Sequence, residues 1–162
     1  VSDLLWAARD ALREPYADKG VNLLVDTTGS AGLQVSVDRT RIAQVLANLL
    51  TNALRHTPPG GIVTLAASRD GDEATLTVSD NGDGITAEQL AHVFERFYRG
   101  DTARTRDRSG SGIGLTISKA LVDAHGGNLT ATSDGPGRGA EFTIYLPLHT
   151  HRHTAPRVNT RS

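Results

Sequence analysis

Two runs of apolar alternation, Ile62–Ser68 and Ala74–Ser79, flank the turn sequence Arg69-Asp70-Gly71-Asp72. Apolar residues at every second position bury one face of a strand. So short a polar, Gly-containing break favours an antiparallel hairpin, since a parallel neighbour needs a crossover of roughly a dozen residues or more. The pattern recurs where Leu129–Ser133 and Ala140–Leu146 are joined by Asp134-Gly135-Pro136-Gly137-Arg138-Gly139. Hairpins interleaved with helices argue against a doubly wound sheet. They predict an α+β fold: a two-layer α/β sandwich, with one mixed, mostly antiparallel sheet of about five strands and three main helices on one face.

The helices are legible from their spacing. Leu4, Leu5, Ala8 and Leu12 predict a helix over Val1–Leu12, stopped by Pro15 and Gly20. Asp38 can cap a long helix to about Thr57, where Pro58-Pro59-Gly60-Gly61 ends it. Its apolar stripe is Ile42, Val45, Leu46, Leu49, Leu50 and Ala53. Thr86 caps a short helix to about Ala91, and Ile113–Ala124 forms another with a stripe at Ile113, Ile117, Ala120, Leu121 and Ala124. His125-Gly126-Gly127 closes that helix. Val21–Val25 and Leu33–Val37 read as two further strands. From Arg99 to Gly112 no core-facing pattern exists, which predicts a mobile loop. Residues 1–148 read as one domain and 149–162 as a polar, disordered tail, with His149, His151 and His153.

Composition removes several chemistries. The 162-residue chain has no cysteine, which excludes a disulfide scaffold, a thiolate zinc site and a thiol nucleophile. Its net charge of −1 is wrong for a general nucleic-acid binder, and no apolar run approaches the length of a membrane span.

Three groups of residues point to a bound ligand. Arg41, Gln44, Asn48, Asn52 and Arg55 share a polar face of the long helix, on the side opposite its apolar stripe. Asn is a poor helix former, so two at a spacing of four are costly on a face that only meets solvent, whereas amide oxygens suit Mg²⁺ and Arg suits the phosphates that Mg²⁺ bridges. Asp80 has the parity of Ala74, Leu76 and Val78, so its carboxylate faces the core and must find donors. The amino group of a flat heterocycle would serve, with Gly82 and Gly84 allowing close approach; a turn Asp bonding its own backbone is the plainer alternative. Finally, Gly110-Ser111-Gly112-Ile113-Gly114-Leu115 opens a helix, where free N–H groups attract anions. It follows an Arg-rich loop in which Arg99 is the best phosphate contact. His92 and His125 read as structural.

Taken in order, these segments resemble the catalytic ATP-binding domain of bacterial sensor histidine kinases. That domain belongs to the superfamily shared with DNA gyrase, heat-shock chaperone ATPases and mismatch-repair ATPases. Asn48–Thr57 resembles its Asn box, and Asp80-Asn81-Gly82-Asp83-Gly84-Ile85 its first Gly-rich box. Phe94–Arg99 resembles the Phe box, Gly110–Leu115 the second Gly-rich box, and Gly137–Phe142 the last. The resemblance implies ATP and Mg²⁺ as cofactors. Asn52 would hold Mg²⁺, with Asn48 beside the phosphates; Arg55 and Arg99 would contact phosphate. Asn48, Arg55 and Arg99 would thus be the catalytic set. Asp80 would take the adenine amino group, with Gly82, Gly84 and Ile85 shaping the base pocket and His56 packing on the nucleotide. Gly110, Ser111, Gly112, Ile113, Gly114 and Leu115 would close a mobile ATP lid.

The resemblance also implies transfer of the γ-phosphoryl group to a histidine, in two-component signalling. The branches that hydrolyse ATP or phosphorylate serine place Glu where Asn48 stands. Glu can deprotonate water or a hydroxyl; Asn cannot. Asn48 therefore favours histidine as acceptor over an anti-sigma-type serine kinase, with an ATP-binding regulatory switch (a pseudokinase) as the other alternative. No acceptor-histidine segment is found in the chain. The partners implied are a dimerisation and phosphoacceptor domain, upstream on the same chain or separate, and a downstream response regulator. Neither nucleic acid nor membrane insertion of this segment is implied, and the location implied is cytoplasmic.

Overall fold

In the computed structural model, which describes residues 1–95 and 114–149, the apolar stripe of the long helix forms the centre of the core. This helix, α2 (Arg39–His56), follows α1 (Ser2–Lys19), β1 (Asn22–Asp26) and a 3-10 turn, Thr28–Ser30. Asp38 is its N-cap, its carboxylate accepting from the Arg41 N–H at 3.2 Å. Ile42, Val45, Leu46, Leu49, Leu50 and Ala53 are all buried, as the spacing predicts. Beyond α2 come the hairpin β2 (Ile62–Asp70) and β3 (Glu73–Asp80), then the short α3 (Ala87–His92). The Thr86 hydroxyl and the Gln89 side chain close a reciprocal capping box on α3. Helix α4 (Gly114–Ala124) and the strands β4 (Asn128–Thr132) and β5 (Ala140–Pro147) follow.

The described strands form one mixed sheet in the order β1-β2-β3-β5-β4. Only β1 and β2 run parallel, and α2 provides the crossover between them. The other pairs are antiparallel. Register puts Val63, Leu65, Leu76, Val78, Phe142, Ile144 and Leu129 on one face, all buried. Helix α1 packs on β1 and β2, α2 on β2 and β3, and α4 on β4 and β5. The fold class is the one expected: α+β, one open sheet with helices on a single face.

Three local expectations are corrected. Pro15 does not end α1. Pro15 and Ala11, whose carbonyl loses its helical donor, both lie on the exposed side, so the defect falls toward water. The helix ends at Gly20, in the left-handed region (φ 77°), whose N–H bonds the Tyr16 and Ala17 carbonyls. Leu33–Val37 is not a strand: it makes one antiparallel bridge, Val35 to Leu148. Its alternation records the burial of every second side chain, not a ladder. On α4 the inward row is Leu115, Ser118 and Val122, while Ile117, Ala120 and Ala124 are exposed. A hydrophobic count misses this because the buried row contains a serine.

Polar latches fix the helices relative to one another. Tyr16, 2% exposed, donates its hydroxyl to the Leu50 carbonyl at 2.7 Å, and Lys19 Nζ donates to the Leu54 carbonyl at 2.6 Å. Burial first, and the negative charge of Asp80 second, raise the Tyr16 pKa above its ordinary value of 10.0. At the other end of α2, the Asp38 N–H donates to His125 Nε2 at 3.2 Å, so the proton of that ring sits on Nδ1, which donates to the Leu121 carbonyl at 2.7 Å. His125 is thus structural, as read from the sequence. Beyond β5, the His149 N–H donates to the Gln34 carbonyl at 2.8 Å. Arg99–Ile113, His151 and His153, with the loop and most of the tail expected there, lie outside the described residues.

Removing one latch has a defined cost. Tyr16→Phe is predicted to destabilise the protein by about 1 kcal/mol, the usual net worth of one buried hydrogen bond. Urea unfolding of both proteins at constant m-value measures it.

Candidate functional site

Asp80 is the last residue of β3 and pairs with Ala140 on β5, at the end of the inward-facing row. It is half-buried, and its Oδ1 accepts from the Gly82 N–H at 2.9 Å. The self-bonding turn expected as the plain alternative is therefore present. It does not satisfy the whole group, because burial still raises the Asp80 pKa above its ordinary 3.8. The N–H groups of Gly82 and Ala140 and the nearby His56 oppose that rise, and the Asp83 charge adds to it. A carboxylate still short of compensation, next to a Gly-rich turn, is suited to a further donor.

The turn after Asp80 seats the end of α2. The Asp83 N–H donates to the His56 carbonyl at 2.9 Å, and Asn81 Oδ1 accepts from the Ile62 N–H at 2.8 Å. A Cβ on Gly82 would overlap the His56 carbonyl oxygen. Gly84 lies at φ 73°, where a Cβ would overlap the Gly135 carbonyl oxygen. The closest atoms to both glycines thus belong to the chain's own backbone. The β4–β5 loop completes the seat: the Gly137 N–H donates to the Asp83 carbonyl at 2.7 Å and the Gly139 N–H to the Gly82 carbonyl at 3.2 Å. Half-buried Ile85 packs against the core from this turn, and its N–H donates to Ser133 Oγ at 3.0 Å.

These contacts bring the C-terminal end of α2, with His56, to the Asp80 turn. His56 lies within electrostatic reach of its carboxylate and 3.6 Å from the Asp83 carboxylate. Asn52 is one turn before His56 and is half-buried; Arg55 and His56 are exposed. The polar row does not lie opposite the apolar one, as expected, but flanks it, which leaves Asn48 half-buried against α4. There Asn48 Nδ2 donates to Ser118 Oγ at 3.2 Å and to the Gly114 carbonyl at 3.4 Å. Gly114 and half-buried Leu115 form the first turn of α4, and Thr116 Oγ1 donates to the Phe94 carbonyl at 3.0 Å, tying that turn to the Phe94–Glu95 segment. Arg99, Gly110, Ser111, Gly112 and Ile113 lie outside the described residues.

The donor set says which metal chemistry fits. Among the described residues, no group of three or more His, Cys, Asp or Glu side chains could hold a metal ion. Asn48 and Asn52 offer hard amide oxygens without charge. That suits Mg²⁺, which keeps waters and binds through few protein oxygens plus phosphates of a substrate. It does not suit a resident Zn²⁺ or Ca²⁺ cage. Sequence reading missed Tyr16, Ser118 and Ser133 as supports. Only Ser118 leaves a trace, a lone polar residue in a helix where apolar ones prevail.

The sequence profile described as "Histidine kinase-, DNA gyrase B-, and HSP90-like ATPase" matches residues 37–150. The sensor protein DivL of Caulobacter vibrioides is 45% identical over 147 residues, covering 91% of this chain and 18% of DivL. The mycobacterial sensor histidine kinase MprB superposes with a TM-score of 0.79 at 30% identity, covering 92% of this chain and 96% of that one. Full-length ShkA in complex with AMPPNP superposes with a TM-score of 0.80 at 29% identity, covering 93% of this chain and 30% of that one. The chain spans between 18% and 33% of the length of curated relatives such as DivL, SenX3 and BaeS.

The backbone approach at Gly82 is directly testable. Gly82→Ala drives a methyl into the His56 carbonyl, which cannot swing aside. It is predicted to cost about 1–3 kcal/mol, the range for overpacking, and thermal unfolding measures it.

Proposed function

The chain belongs to the histidine kinase-, DNA gyrase B- and HSP90-like ATPase family, and on that premise we propose that it binds Mg²⁺-ATP and phosphorylates a histidine on an acceptor domain. The observation that carries this reading is the docking of the last turn of α2 on the Asp80–Gly84 turn, sealed by the Asp83 N–H to the His56 carbonyl. It sets a half-buried carboxylate, short of donors, beside a helix whose amide side chains can meet a triphosphate. Asp80 accepts the adenine amino group, a charged hydrogen bond worth about 1.5–3 kcal/mol. Gly82, Gly84 and Ile85 border the base and His56 packs on the nucleotide. Asn52 would hold Mg²⁺, with Asn48 beside the phosphates, and the ion would neutralise phosphate charge when bound with ATP. Arg55 and Arg99 contact phosphate, and Gly110–Leu115 forms the lid.

In this reading the chain's work is placement and charge compensation. Asn48 cannot take a proton, so no hydroxyl or water is activated at its position. A neutral imidazole of the acceptor is already nucleophilic: its nitrogen bonds the γ-phosphorus while the bond to the β-phosphate oxygen breaks and ADP leaves. The acceptor is a dimerisation domain, upstream on the same chain or on another, and a response regulator acts downstream. Among the described residues no helix is long and apolar enough to cross a membrane. We place this segment's action in the cytoplasm, where ATP is available.

Two variants separate recognition from folding. Asp80→Asn is predicted to weaken adenine nucleotide binding at least about tenfold, or 1.4 kcal/mol, measured by calorimetric titration. Ionising Asp80 in the folded state is unfavourable, because its folded pKa lies above 3.8. The stability this group contributes is therefore full below that value and lost as pH rises through the raised pKa. Without nucleotide, Asp80→Asn must gain stability relative to the wild type across the same rise. An unchanged ATP affinity would remove Asp80 from the site. Asn52→Ala is predicted to abolish mainly the Mg²⁺-dependent part of ATP binding, seen by titration with and without EDTA. For the reaction, labelled ATP is incubated with the chain and a separate acceptor-histidine domain. Acid-labile phosphate on the acceptor is the expected result; phosphoserine, or binding without transfer, would overturn histidine phosphorylation.

A further inference from the structure

We propose that Ser118 is a positioning residue that sets which end of the Asn48 amide faces the nucleotide; this rests on the reading of Asn48 as a ligand-facing residue given above. Ser118 sits in the inward row of α4 and is fully buried, 0% exposed. A buried hydroxyl must be partnered. Its one proton is directed at the Gly114 carbonyl, 2.8 Å away, a back-bond to the preceding turn. What Oγ then presents to Asn48 is lone pairs only. The second atom that Asn48 touches, the Gly114 carbonyl oxygen, also carries only lone pairs. Both neighbours are acceptors, at 3.2 and 3.4 Å. The amide nitrogen is the one end of Asn48 that can lie against them, since a flipped side chain would set oxygen against oxygen with no proton between.

The amide is planar, and its two arms diverge. Fixing nitrogen on α4 turns the carbonyl oxygen away from α4. Among the described residues that oxygen makes no hydrogen bond. It is the hard oxygen a magnesium-bound phosphate chain can use; the flipped amide would offer two N–H groups, which a cation repels. Without Ser118 Oγ, Asn48 retains only the longer contact to Gly114. The preference for one flip state then shrinks, and cation-dependent binding falls. Binding of nucleotide without Mg²⁺ has no need of the oxygen and is spared.

The test uses the 162-residue chain and compares ATP affinity with Mg²⁺ to ATP affinity in EDTA. Ser118→Ala and Ser118→Val are expected to cut that ratio about three- to tenfold, the span of one lost hydrogen bond. Ser118→Thr, which keeps the hydroxyl, is expected to retain it. A second readout needs no ligand: the side-chain amide protons of Asn48, followed by NMR in nucleotide-free protein, are expected to exchange slowly in the wild type and faster in Ser118→Ala. Asn48→Ala serves as reference. If Asn48→Ala leaves Mg²⁺-ATP affinity intact, the placement of Asn48 in the nucleotide site fails. If Asn48→Ala weakens binding while Ser118→Ala and Ser118→Val match the wild type in ratio and in amide exchange, the positioning role is overturned and the site stands. Equal losses in Ser118→Thr and Ser118→Ala also overturn it, because the effect is then one of packing.

Discussion

The seating of the His56 carbonyl on the Asp83 N–H is the contact on which the rest depends. A helix end leaves carbonyls without donors, and α2 meets that need with the turn that follows β3. Pro58-Pro59-Gly60-Gly61 cannot continue the helix, and Gly82 lacks the side chain that would keep the backbones apart. The result joins two segments distant in sequence, the C-terminal end of α2 and the turn that follows the carboxylate ending β3. Core burial brings the helix to the sheet; this polar contact decides where along β3 its end comes to rest.

The carboxylate of Asp80 shows how a fold can half-bury a charged group without fully offsetting the cost. The Gly82 and Ala140 N–H groups and His56 stabilise its charge, yet burial outweighs them and raises its pKa. Burial first and the Asp80 charge second raise the Tyr16 pKa, while its hydroxyl secures α1 to α2 at the Leu50 carbonyl.

Helix α2 is held against both ends of α4, by Asn48 on Gly114 and Ser118 and by His125 on the Asp38 N–H. Neither contact is apolar. Each fixes a hydrogen-bonding direction, which dispersion forces cannot do, and each ties a helix terminus to a neighbour. The first turn of α4 therefore cannot shift without disturbing Asn48.

Much of this was legible in the residues. The α2 stripe, its Asp38 cap, the β2–β3 hairpin and the inward parity of Asp80 follow from periodicity and capping, because each depends on neighbours within a few positions. The resemblance to known motifs suggested roles for Asn52, His56 and the glycines that spacing could not, and those roles are part of the proposal. Three-dimensional packing determined the remainder. It turned α4 so that Ser118 and Val122 face inward and Ile117 outward, since a serine bonded to its own helix is as buriable as an apolar residue. It made Leu33–Val37 a covered segment without a ladder, since alternation reports burial and a ladder requires a partner strand. It also chose the His56 and Gly135 carbonyls as the atoms against Gly82 and Gly84. A glycine announces that something comes close; what comes close is decided by segments far along the chain.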